Sequence, residues 1–156
     1  MRVLITGGAG YIGSELVAHL INEHKVTVFD NMMYDRTSLL RYATHPNFNF
    51  IEGDVRDTKT LLKLVSENDI IIPLAALVGF PLCDKDPRGA SEINFAANRL
   101  IAEAKSPDQM LLYPCTNSGY GVAKDGVCTE KSPLNPISLY GKTKVQAESV
   151  FRDTPG

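Results

Sequence analysis

No apolar run in this sequence approaches the roughly 20 residues that a membrane-spanning helix needs. No basic tract interrupts a formal net charge of −2, so nucleic acid is not an implied partner. Cysteine is scarce: Cys83, Cys115 and Cys128 are odd in number and show no CxxC spacing. Free thiols in a reducing cytoplasm fit this better than a disulfide framework or a zinc site. The first residues fail as a secretory signal, because Gly7, Gly8, Gly10 and Glu15 interrupt any apolar core. Internal repeats and low-complexity segments are also lacking. What is left is 156 residues of ordinary globular composition, 44% hydrophobic and 22% charged, which suffices for one domain with its own core.

Strand and helix patterns alternate along the chain. Val3 to Ile5 reads as a short apolar strand, and Tyr11 to Glu23 as a helix with Ile12, Leu16, Val17, Leu20 and Ile21 on one broad face. Val26 to Asp30 is a second strand, residues 36 to 43 a short helix, and Asn49 to Glu52 a third strand after the break at Pro46 and Asn47. Asp57 can cap a helix running through Val65. The unbroken apolar run within Asp69 to Ala75 is that of a strand covered on both faces. A long helix from Pro87 to Ala104 carries Ala90, Ile93, Ala97, Leu100 and Ala104 at helical spacing. Met110 to Tyr113 is the fifth strand, residues 116 to 136 a loop, and Ile137 to Phe151 the last helix. Five strands alternating with helices predict an α/β fold with a doubly wound parallel sheet, its ligand site at the carboxyl ends of the strands.

Residues 7 to 13 fit two glycine templates, Gly8-x-Gly10-x-x-Gly13 and Gly7-x-x-Gly10-x-x-Gly13. Glycine there permits a positive φ, close approach of backbone to a pyrophosphate and tight packing of helix on strand. The helix starting near Tyr11 would aim its free N–H groups at the phosphates. A plain tight turn is the alternative. Asp30 ends the second strand 17 residues past Gly13. A carboxylate in that place accepts both ribose hydroxyls of an adenosine and repels a 2′-phosphate, which favours NAD over NADP. Asp54 and Val55, after the third strand, face either an adenine or the cap of the next helix.

Tyr140 and Lys144 lie four apart and share a helix face. An ammonium near a phenol favours the phenolate by about 4 kcal/mol at about 4 Å and an effective dielectric near 20. Half of that lowers the phenol pKa by more than one unit. Thr116 precedes Tyr140 by 24 residues, directly after the fifth strand, and can hydrogen-bond an oxygen undergoing oxidation or reduction. Capping of the strand end is the plainer role for its hydroxyl.

Taken in order, TGGAGYIGS, Asp30-Asn31, GDVRD, Pro73-Leu74-Ala75-Ala76-Leu77, Ile93-Asn94, Thr116-x-x-x-Tyr120-Gly121 and Tyr140-x-x-x-Lys144 resemble the extended short-chain dehydrogenase/reductases. The likeness is greatest to the NAD-dependent sugar-nucleotide epimerases and dehydratases, and it runs over essentially the whole chain. The resemblance implies a Rossmann fold with NAD as cofactor. It assigns Tyr140 as acid–base, Lys144 to the nicotinamide ribose and Thr116 to the Ser/Thr role. It further implies cofactor contacts at Gly7, Gly10, Tyr11, Ile12, Gly13, Asp30, Asn31, Asp54, Val55, Leu74, Ala75, Ala76 and Asn94, besides Tyr140 and Lys144. The substrate would be a nucleotide sugar, oxidised at a hydroxyl and reduced again through a keto-sugar, and the assembly a homodimer.

Two departures stand out. Similar dehydratases carry an acid two positions after the Ser/Thr, where this chain has Ser118, so epimerase or keto-sugar reductase chemistry is expected over elimination. Pro73 stands where many relatives have histidine. Cys83 is at most a proton donor in epimerisation, an inert packed thiol being the commoner case, and His19, His24 and His45 are expected away from the site. The family continues with further strands and a substrate lobe, so the 156 residues are expected to be the NAD-binding part, inactive alone, with the fifth strand as an open edge. The rival readings are a dehydrogenase of another small alcohol and a non-catalytic NAD-binding module.

Overall fold

The structure, a computed structural model, describes residues 1–34, 37–122 and 126–154. Five parallel strands form one sheet in the order β3-β2-β1-β4-β5. They are β1 (Arg2–Thr6), β2 (Lys25–Asp30), β3 (Phe48–Glu52), β4 (Ile70–Pro73) and β5 (Met110–Leu111). The helices are α1 (Tyr11–Leu20), α2 (Thr58–Ser66), α3 (Phe80–Lys85), α4 (Pro87–Ser91), α5 (Ala97–Ala104) and α6 (Leu139–Asp153). The order of strands reverses between β1 and β4, and the crevice at that switch point is where a doubly wound sheet takes its ligand.

Central β1 is apolar over Val3–Ile5, where it is covered on both sides. Leu4 joins Phe29, Leu61, Ile71 and Ile101 in one core, while Val3 and Ile5 join Val17, Ile21, Val26 and Val28 in the other. Each such side chain contributes roughly 1.5–3 kcal/mol by leaving water. Asp57 caps α2 as the sequence implied, accepting from the Thr60 N–H at 3.3 Å.

Several boundaries differ from expectation for physical reasons. The run assigned to one long strand, 69–75, is sheet only over β4, because beyond Pro73 the chain leaves β1 to form the wall of the crevice. β5 stops at Leu111, since its pairing with β4 stops there, and it forms the sheet edge as anticipated. Helix α3 was not foreseen; its six residues carry no long periodic pattern. Of the short helix expected over 36–43, residue 36 lies outside the described residues, and the rest forms turns with a 3-10 segment at Leu40–Tyr42. Residues 123–125 of the predicted 116–136 loop lie outside them too.

The helix predicted over 87–104 is present, but a π turn at Glu92–Ala96 divides it into α4 and α5. A π turn inserts one residue and rotates the buried face. After it the buried positions are Ala97, Asn98, Ile101 and Ala102, while Ala104, expected inside, is exposed. The Asn98 amide donates to the Asn94 carbonyl at 2.9 Å, satisfying an acceptor within the turn. Among the described residues no helix is long and apolar enough to cross a membrane.

Candidate active site

A cleft of about 480 Å³ opens at the carboxyl ends of β1, β2, β3 and β4. Its floor is the turn between β1 and α1. Gly7 has φ +70°, and a Cβ there would stand 2.5 Å from the Ala75 nitrogen, so the turn and the wall after β4 touch backbone to backbone. A Cβ on Gly13 would stand 2.5 Å from the Gly8 Cα, which is how α1 can spring so closely from β1. Helix α1 begins at Tyr11 with no side-chain cap and no acid in its first turn. Its free N–H groups and positive dipole end therefore face the cleft, an arrangement suited to an anion. Tyr11 and Ile12 are 83% and 57% exposed, so Ile12 is not on the core face where its spacing put it. The first turn of the helix meets the cleft, not the sheet.

Asp30 closes the loop from the β2 side. Its carboxylate accepts from the Ala9 N–H at 3.0 Å and from the Met32 N–H at 2.8 Å. A carboxylate offers about four acceptor sites, so two remain for hydroxyls in the cleft. Met32 has φ 55°, rare for a side chain of its size, and it lies on the cleft wall beside Met33 and Tyr34. Asp54 is differently engaged. It accepts from the Arg56 N–H and Nε at 2.9 Å each, from Arg56 Nη2 at 2.8 Å and from Asn31 Nδ2 at 3.2 Å. Hydrogen bonding from Arg56 lowers its pKa to about 2. All four acceptor sites are taken, so Asp54 ties the loop after β2 to the loop after β3.

Leu74, Ala75 and Ala76 line the opposite wall, and Tyr140 and Lys144 of α6 close the far end. The expected residues Gly7, Gly10, Tyr11, Ile12, Gly13, Asp30, Asn31, Asp54 and Val55 thus share one cleft with that pair. Asn94 does not reach it. Fully buried in the π turn, its side chain accepts from the Leu77 N–H at 2.8 Å and donates to the Leu77 carbonyl at 3.0 Å. It holds the wall from behind. Thr116 also lies off the cleft lining, but its side chain acts on the Tyr140 phenol in the direction of the phenolate. Its hydroxyl accepts from the Ser118 N–H at 3.2 Å, so the plainer capping role is present as well.

The electrostatics correct one expectation. Burial raises the Tyr140 pKa, Thr116 opposes this, and no influence of Lys144 on the phenol is resolved. The lysine is 6% exposed, and its ammonium sits 4.0 Å from the centroid of the Tyr113 ring. Burial brings the Lys144 pKa down to about 8, while Cys115 and Glu148 act the other way. Cys83 is fully buried, donates to the Leu77 carbonyl at 3.2 Å and has its pKa raised by burial, as befits a packed thiol. Residues that the sequence did not single out on the cleft include Phe29, Met32, Met33, Tyr34 and Cys115. Most lie at or just beyond a strand end, and that position was the available signal. Among the described residues no cluster of side chains could hold a metal ion.

The model of the "NAD dependent epimerase/dehydratase family" matches residues 3–154. Among curated proteins, the chain is 34% identical to the low-salt glycan biosynthesis protein Agl12 of Haloferax volcanii, over 97% of this chain and 51% of that protein. It is 32% identical to the UDP-glucose 4-epimerase of Lactobacillus helveticus, over 97% of this chain and 46% of that one. Among solved structures, the Bordetella bronchiseptica enzyme WbmG in complex with NAD matches with a TM-score of 0.87 at 28% identity. That match covers 99% of this chain and 50% of WbmG. The chain spans about half the length of the curated relatives it matches.

Proposed function

The chain belongs to the NAD-dependent epimerase/dehydratase family, and on that premise we propose that it carries out the NAD-dependent epimerisation of a nucleotide-activated sugar. NAD is the cofactor of the family, and the cleft fits it. The uncapped N-terminus of α1 offers N–H groups to the pyrophosphate, Gly7 and Gly13 leave it room, and Asp30 has acceptor sites for the ribose hydroxyls. Bound NAD supplies a hydride acceptor and, once reduced, a hydride donor.

The observation that supports catalysis is that Tyr140 and Lys144 share a cleft with the glycine turn and Asp30. In this reading Tyr140 Oη takes the proton of a sugar hydroxyl and later returns it to the keto-sugar oxygen. Thr116 favours the phenolate of Tyr140. Lys144 Nζ donates to the nicotinamide ribose. Ser118 and Asn117 put no carboxylate beside Thr116 to move an elimination proton, which supports epimerisation or keto-sugar reduction over dehydration. The similarity to a UDP-glucose 4-epimerase points the same way. Choice of nucleotide is assigned to a second lobe, corresponding to the half of the relatives that this chain does not span. Homodimeric assembly in the cytoplasm belongs to the same proposal, supported by the family resemblance and by three cysteines without a disulfide.

The test is to incubate the protein, as expressed from its gene, with NAD and a panel of UDP-, GDP-, dTDP- and CDP-sugars and to follow the products by NMR. One member of the panel is expected to yield its epimer, and Tyr140→Phe to reduce the rate by roughly 10²- to 10⁴-fold. Full turnover in Tyr140→Phe would refute the assignment. NAD binding with no conversion of any sugar would favour the non-catalytic module.

A further inference from the structure

Lys144 is a buried cation without an ion-pair or hydrogen-bond partner for its ammonium among the described residues. What faces it is the ring of Tyr113, 4.0 Å from ammonium to centroid. The hydroxyl of the same tyrosine donates to the main-chain carbonyl of Lys144 at 3.4 Å. Its ring packs against Phe151, two turns further along α6, with centroids 5.0 Å apart. One residue therefore holds Lys144 at both its backbone and its charged end, and α6 itself braces that residue.

We propose that Tyr113 is a positioning residue for Lys144, its ring face keeping the buried ammonium charged and aimed along the cleft before the cofactor arrives. The proposal deepens the functional reading above and rests on the role given there to Lys144. The attraction is between a cation and the negative face of an aromatic quadrupole, and it strengthens where water is excluded. Burial pushes the Tyr113 phenol far up, with Cys115, Tyr140 and Glu148 adding to it, so the ring acts as a neutral group.

The other titratable groups around the ammonium do not replace it. Cys115, from the segment after β5, is pushed up to about 11 by desolvation and by Glu148, and stays neutral. Burial raises the Tyr140 pKa on α6, so before the cofactor arrives its phenol adds no negative charge. Glu148, also on α6, is paired with Arg152. The π turn packed against α6 contributes the neutral amide Asn94, bonded to Thr143.

Lysine enriched with 13C at Cε reads this directly by NMR, in the unsubstituted protein, in Tyr113→Phe and in Tyr113→Leu. The Lys144 signal is identified by its loss in Lys144→Arg. Ring current should place the Lys144 Hε protons upfield of every other lysine. Its titration midpoint should fall by roughly half to one pH unit in Tyr113→Leu and return to the unsubstituted value in Tyr113→Phe. An Hε signal without upfield displacement, or an unchanged midpoint in Tyr113→Leu, overturns the proposal. The first reading needs no substitution at Tyr113, so it decides the matter even where Tyr113→Leu does not fold. Neither reading needs turnover. Absence of sugar conversion together with a ring-shifted Lys144 would sink the proposed activity and leave the contact with Tyr113 standing.

Discussion

Replacing Lys144 with methionine should make the folded chain more stable at neutral pH, at the expense of its cleft chemistry. The side chain is 6% exposed, and burial lowers its pKa from 10.5 to about 8. At 1.36 kcal/mol per pH unit, charging this amine inside the fold costs about 3 kcal/mol more than charging it in the unfolded chain. The folded pKa lies below the unfolded one, so between pH 8 and 10.5 the unfolded chain binds the extra proton and stability rises with pH. Below about pH 8 the full penalty applies, and above about 10.5 it has gone. The Tyr113 ring returns roughly 0.5–2 kcal/mol of it. Lys144→Met keeps the apolar stem and removes the charge, so it should gain about 1–3 kcal/mol at pH 7 and little at pH 11. Urea denaturation of both proteins from pH 6 to pH 11 measures the difference directly. A gain that does not shrink with rising pH, or a methionine variant less stable at pH 7, would refute the reasoning.

Two further perturbations address the cofactor end and the wall. Asp30→Ala removes the acceptor for the Ala9 and Met32 N–H groups and the acid facing the ribose. NAD affinity should fall by at least tenfold, about 1.4 kcal/mol, and the preference for NAD over NADP should narrow. Calorimetric titration with both cofactors checks this, and an unchanged ratio would count against the ribose role. Asn94→Leu leaves the Leu77 N–H unpaired in the core and its carbonyl with only the Cys83 thiol, which should destabilise the fold by about 1–3 kcal/mol. A loss below about 1 kcal/mol in urea would show that the wall does not depend on that amide.

The parts of the site that the sequence revealed are those whose geometry is local. Gly7, Gly10 and Gly13 fall within seven residues, from the turn into the first turn of α1, and Tyr140 and Lys144 are one helical turn apart, so spacing alone brings each set together. Asp30 was legible because a strand end is a fixed place relative to the turn on the neighbouring strand, paired here as Thr6 with Phe29. The roles of Asn94 and Asp54 were not legible in this way. Asn94 is turned from the cleft by a π turn that no periodicity signals, and it meets Leu77, 17 residues away in sequence. Asp54 is saturated by Arg56 and Asn31, the latter 23 residues off, so its freedom to accept from an adenine depended on partners that spacing does not identify. Cys115 and Met32 entered the cleft because of where the strands end, without any pattern of their own.

By itself the sequence determined that strands and helices alternate, that the first turn could hold a pyrophosphate, and that a phenol and an ammonium would share one helix face. Those are short-range matters, set by backbone sterics and the 3.6-residue period. Only the tertiary structure decided what the ammonium does when the cleft is considered as a whole. Spacing aimed Lys144 at Tyr140, yet packing of α6 against the segment after β5 set Tyr113 beneath it instead. A charge removed from water settles on the nearest group that can stabilise it, and which group is nearest depends on how distant segments pack.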